Sequence, residues 1–109
     1  MTDVPVSNLL TDAAGDGPDE LFATLLERPG IRIERIVSRG HFTPADAPYD
    51  QPWGEWVLLV EGAARLWIEG QEEVALGPGD HLLIPAHRRH RVTWTRPDAA
   101  TIWLAVHFG

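Results

Sequence analysis

From Gly30 to its end the chain is a succession of short apolar or alternating runs, each closed by glycine or proline. The runs are Ile31 to Ser38, Glu55 to Glu61, Ala63 to Glu69, Glu72 to Leu76, His81 to Pro85, His90 to Thr95 and Thr101 to Phe108. Turns fall at Gly62, Gly70-Gln71, Gly77-Pro78-Gly79-Asp80 and around Pro97-Asp98. Strands this short at such regular spacing predict an all-β sandwich or small barrel. The long connection Arg39 to Gly54 is proline-rich and cannot be a central strand, because proline brings no N–H to the ladder.

The region before Gly30 reads differently. Val4 to Leu10 suits a short strand or an extended arm, and Thr11 to Gly17 is small, acidic and glycine-bearing, hence a loop. Pro18-Asp19-Glu20 places a proline and two acids where the first turn of a helix favours them. Leu21, Phe22, Leu25 and Leu26 would form its apolar face and Pro29-Gly30 would stop it. The expected organisation is therefore an arm and short helix over 1–30 packed on a barrel domain over 31–109. A chain of 109 residues is long enough for one core and too short for two.

A net charge of −7 argues against a nucleic-acid binder, which needs cationic groups to neutralise phosphates. The absence of cysteine excludes thiolate metal sites, disulfides and cysteine nucleophiles. No apolar stretch approaches the length of a bilayer span, and the first residues do not read as a leader, so the expectation is a cytoplasmic protein with no membrane partner. Glu55 to Val60 and Ile102 to Val106 are apolar on both faces. One face can line an interior; the other needs cover, which makes a homodimer the economical expectation.

The chemistry-bearing residues gather around the stretch from Gly77 to Trp94. Alternation from His90 puts His90, Val92 and Trp94 on one face and Arg91, Thr93 and Thr95 on the other. An inward imidazole can be a ligand, an acid/base group or a hydrogen-bonded core residue. Among the other histidines, His87 precedes Arg88-Arg89 on a corner, His107 alternates with Trp103 and Ala105, and His41 and His81 read as surface or turn residues.

Gly79-Asp80, Ile84-Pro85-Ala86 and His90 resemble the second motif of the cupin superfamily, and Glu55 to Gly62 resembles the end of its first motif, where a glutamate precedes the glycine of a hairpin. Together they span about Gly40 to Trp94. The resemblance implies a small antiparallel jelly-roll β-barrel. In metal-binding cupins the first motif supplies two histidines and the glutamate, and the second supplies another histidine. Glu55 and His90 match two of these positions; the paired histidines are replaced by Tyr49 and Gln51, or by Pro48 and Asp50, depending on spacing.

What the resemblance implies for the site is a divalent metal, zinc, iron, nickel or manganese, held by Gln51, Glu55, His90 and a further histidine, His87 or His107. Tyr49, Asp50, Val57 and Trp94 would line the adjoining pocket for a small organic ligand. Two functions follow. One is a metal-dependent oxygenase, isomerase or lyase; the other is a metal-free binding or sensory module in which Glu55 and His90 orient the ligand. Without a metal, Glu55 and His90 would form a direct carboxylate–imidazole pair, stabilising only if its geometry is good.

Overall fold

The computed structural model describes residues 1–11 and 18–109. Its eight strands are β1 (Leu21–Arg28), β2 (Ile31–Ser38), β3 (Gly54–Glu61), β4 (Ala64–Ile68), β5 (Val74–Leu76), β6 (His81–Ile84), β7 (His90–Thr95) and β8 (Thr101–Phe108). They form two antiparallel sheets, ordered β1-β2-β8-β3-β6 and β5-β4-β7. Val57, Leu59, Ile84, Trp103 and Ala105 from the first sheet meet Ala64 and Leu66 from the second in one core. The described strands make a two-sheet antiparallel jelly roll.

Period two governs what faces the core. On β3, Glu55, Val57 and Leu59 are buried while Trp56, Leu58 and Val60 lie half-buried on the outer face. On β8, Trp103, Ala105 and His107 point inward. The register sets Glu55 opposite both Ile84 of β6 and His107 of β8, so the carboxylate starts the inward row of a central strand. Apolar side chains below and a polar end above follow directly from that row.

The N-terminal helix is a misreading of a strand. Leu21–Arg28 is β1, paired with β2 along the sheet edge, and there is no α-helix among the described residues. Pro29-Gly30 is the turn of the β1–β2 hairpin, with Arg28 directly opposite Ile31 and Gly30 at φ 80°, the combination a type II turn asks of proline followed by glycine. The register breaks between Thr24 and Leu26, so an extra residue in the strand mimics the spacing of a helical face. A helix of such length gains little by itself, whereas the open edge of β2 satisfies the backbone of the whole segment.

A second bulge overturns the placement of Trp94. β4 pairs Arg65 with Trp94 but Leu66 with Val92, so Thr93 is the extra residue and the alternation inverts beyond it. Trp94 is exposed, with the Arg65 guanidinium 5.6 Å from its ring centroid, and Thr95 takes the inward place, donating to the His41 carbonyl at 2.6 Å. At the N-terminus residues 1–8 form no strand; Asn8 accepts from the N–H groups of Leu10 and Thr11, and Leu9 packs on Val37 and Ile102. Of the loop expected over Thr11 to Gly17, residues 12–17 lie outside the described residues.

Two glycines allow a direct check of this backbone. Gly62 has φ 100°, and a Cβ there would lie 2.5 Å from Thr101 Oγ1 and 2.6 Å from its Cα, whereas Gly30, at φ 80°, has open space around it. Gly62→Ala should cost about 3 kcal/mol from combined backbone strain and overlap, and Gly30→Ala about 1 kcal/mol from strain alone. Urea unfolding of the two variants measures the difference; equal losses would contradict the tight β3–β4 turn.

Candidate functional site

Three backbone contacts bring the two motif segments together. Tyr49 and His90 exchange N–H···O bonds of 2.8 and 3.1 Å, and the His87 N–H donates to the Gln51 carbonyl at 2.7 Å. His87 reaches that carbonyl with φ 61°, a left-handed conformation that costs a non-glycine residue roughly 1 kcal/mol. On the other side of Glu55 the turn before β6 is fixed by Gly79, at φ 92°, and by Asp80, whose carboxylate accepts from the Gly77 N–H at 2.8 Å. The proline-rich connection is thus sewn onto β7, and Gln51 lands beside Glu55.

Glu55 and His90 are both buried, at 9% and 6% exposure. Gln51 Nε2 donates to Glu55 Oε1 at 2.9 Å, and His90 Nε2 lies 3.5 Å from the same oxygen. The other ring nitrogen of His90, Nδ1, is 3.0 Å from the Arg88 carbonyl, which only accepts, so Nδ1 carries a proton. Nε2 therefore faces the carboxylate either as a bare lone pair or as the second N–H of an imidazolium. Burial alone would lower the His90 pKa, but the Glu55 carboxylate and the Arg88 carbonyl outweigh it and hold the imidazole above its ordinary value. Burial likewise opposes ionisation of Glu55, yet His90, Gln51 and His107 together hold its pKa below the ordinary carboxylate value. Each group thus favours the charged form of the other, and the Tyr49 ring stacks on the imidazole with centroids 5.5 Å apart.

His107 belongs to a separate set. Its Nδ1 accepts from the Trp53 indole N–H at 2.9 Å, which leaves Nε2 as the donor to Glu34 Oε1 at 2.8 Å. Both ring nitrogens are engaged. Arg32 stands next along β2, 4.0 Å from Glu34, with its guanidinium 5.8 Å from the Trp53 ring centroid. Glu34 and Arg32 were not among the residues expected at the site, although Arg32, Glu34, Ile36 and Ser38 share the inward parity of a strand whose other parity carries Ile31, Ile33 and Val37. Two charges on the inward parity of a half-buried strand are the signal that would have found them.

These side chains border a cavity of about 590 Å³ between the sheets, walled by Val57, Leu66, Ile84, Val92 and Trp103 and rimmed by Glu20, Phe22, Phe42 and Tyr49. Gln51, Glu55, His90 and His107 line it, as do Tyr49 and Val57 of the expected pocket. His87 and Asp50 do not: they pair with each other at 3.2 Å on the surface, with side chains 70% and 49% exposed. Trp94 is on the opposite side of β7 for the reason given above. Among the described residues no three histidine, aspartate or glutamate side chains gather as a metal-binding set. The expected donors fit a divalent ion poorly: His107 is saturated, His87 is elsewhere, and Gln51 presents its NH₂ donor, leaving Glu55 and His90.

A two-sheet jelly roll with a carboxylate from its first motif and an imidazole from its second, both at one end of an interior cavity, defines the cupin class of domain. The cupin domain family matches residues 39–107, and the chain belongs to that family. Among solved structures it is similar to a protein of Ralstonia eutropha JMP134 provisionally named a mannose-6-phosphate isomerase, at 46% identity and TM-score 0.91, over 96% of this chain and 98% of that one. A cupin superfamily protein of Desulfitobacterium hafniense DCB-2 shares the fold at 17% identity and TM-score 0.76, over 98% and 95% of the two chains. No curated protein matches the sequence.

The ion pair gives stability a defined pH dependence. His90, with its folded pKa raised above 6.5, contributes fully below about pH 6.5 and loses that contribution as pH rises through the folded value. Glu55, with its folded pKa lowered below 4.5, contributes above about pH 4.5 and loses it as pH falls through the folded value. His90→Gln should therefore cost about 3 kcal/mol near pH 6 and measurably less near pH 9. Denaturant titrations at the two pH values check the sign; an equal cost at both would mean the imidazole is neutral throughout.

Proposed function

We propose that this chain is a small-molecule-binding cupin whose pocket works without a resident metal, with the Glu55–His90 pair as its polar anchor. The observation that supports this reading most directly is the hydrogen-bond assignment of the two inward histidines. His90 spends Nδ1 on the Arg88 carbonyl and turns Nε2 to Glu55, while His107 is closed by Trp53 and Glu34. A proton on His90 Nε2 neutralises the buried carboxylate that a metal would neutralise in a fuller donor set. Apolar walls would exclude water from the ligand, and Gln51, Glu55, His90 and Tyr49 would orient it through a few directed hydrogen bonds.

The same pair can hold and return a proton. Its imidazolium would donate from Nε2 to a ligand oxygen entering between the two side chains, and Glu55 would accept one in exchange. That capacity suits binding and sensing as well as an isomerisation by proton transfer, and the Ralstonia relative is named an isomerase. A sugar phosphate is a poor match for this cavity, because among the described residues Arg32 is the only arginine lining it and Glu20, Glu34 and Glu55 border the same space. The metal-dependent oxygenase, isomerase or lyase that the family resemblance also suggests would need a third strong donor beside Glu55 and His90.

Elemental analysis separates the two readings. Protein prepared without a histidine tag or chelator, incubated with zinc, iron, nickel and manganese and then desalted, should retain less than about a tenth of an equivalent of any of them. Near-stoichiometric metal that disappears in both Glu55→Ala and His90→Ala would overturn the metal-free reading.

A further inference from the structure

The cavity contains a carboxylate that the Glu55–His90 anchor does not use. Glu20 stands just before β1, opposite the end of β2, where it accepts a hydrogen bond from the Ser38 hydroxyl. Ser38 in turn accepts from the Trp103 indole N–H at 3.2 Å. Glu34 has Arg32 and His107, and Glu55 has His90, but among the described residues Glu20 has no cationic partner. It lines the cavity with Phe22, Phe42, Tyr49 and Trp103, so an anionic group and four aromatic rings border one accessible space.

Glu34 and Glu55 each face a cationic or imidazole partner, so among the described residues the uncompensated negative charge bordering the cavity is that of Glu20. Aromatic faces attract cations through their quadrupoles, and a low-dielectric wall strengthens both that attraction and the carboxylate's. Neutral ligands gain nothing from such an arrangement, and anions are opposed by it.

We propose that the cavity takes an organic cation, an amine or quaternary ammonium compound, with its charged head beside Glu20 and its body on the apolar walls toward Glu55 and His90. This rests on the reading of the cavity as a ligand pocket and specifies what enters it. The Ser38 and Trp103 contacts position the Glu20 carboxylate, so the site is built before the ligand arrives. The interior volume accommodates a compact molecule, and the charge sign rather than the shape sets the class.

Thermal unfolding and tryptophan fluorescence with a matched set of probes test this. Choline, tetramethylammonium and agmatine are compared with 3,3-dimethyl-1-butanol, the neutral isostere of choline, and with glucose 6-phosphate. At least one cation should raise Tm by about 4 °C or more at concentrations of about 10 mM, with the isostere and the phosphate without effect. Glu20→Gln, which keeps an oxygen for Ser38, should weaken that cation roughly tenfold or more, while the exposed Glu72→Gln should leave it unchanged. Equal binding of the isostere, binding of the phosphate alone, or a cation response indifferent to Glu20→Gln would overturn the cation assignment and leave the pocket reading standing. No response to any probe, in Tm or in the protein's tryptophan fluorescence, would overturn both.

Discussion

A carboxylate on the inward face of a central strand has to be neutralised, and much of this molecule is the means of doing so. Glu55 begins the row that continues into Val57 and Leu59, so water does not reach it freely. An unpaired charge there would cost several kcal/mol. The two groups that offset that cost come from distant segments: Gln51 from the proline-rich connection and His90 from the start of β7. The left-handed backbone of His87 and the Tyr49–His90 bridge hold those segments in place. Strain at one exposed residue is the local consequence of satisfying one buried one.

The same bonding fixes what the pocket can do. Because Nδ1 of His90 is committed to a carbonyl, the ring presents Nε2 alone to Glu55 and to the cavity, and its charge state decides whether the contact attracts. Because His107 is held between Trp53 and Glu34, it orients β2 against β8 and lends no lone pair to the centre. Two histidines on inward faces thus have different roles for reasons visible in their partners. The apolar walls come from β3, β4, β6, β7 and β8, and the charged side chains are Glu20 before β1, Arg32 and Glu34 of β2, and Glu55 of β3.

Most of the strand plan was legible because glycine and proline punctuate it and period two persists between them. β7 and β8 start and stop where the alternation does, and the turn around Gly79 carries the spacing of the second cupin motif. Two failures share one cause. In β1 and in β7 a single extra residue shifts the alternation, so Leu21, Phe22, Leu25 and Leu26 imitate a helical face and Trp94 is assigned to the wrong side. A bulge is a property of two strands in register, and one strand's sequence does not contain it. At the site, Glu55, Gln51 and His90 follow from motif spacing. The partners of His107 lie on β2 and in the connection, more than fifty residues away in sequence, and only the pairing of β2 with β8 brings Glu34 to it.

The protonation of His90 is the point on which the metal-free, ion-paired site rests, and nitrogen-15 NMR of histidine-labelled protein observes it directly. Near pH 6 the account predicts both ring nitrogens of His90 protonated, with Nδ1–H bonded to a carbonyl. Addition of zinc should leave the His90 signals in place. A bare Nε2 on His90 near pH 6, or its displacement by a stoichiometric amount of zinc, would contradict the ion pair and return the site to metal chemistry.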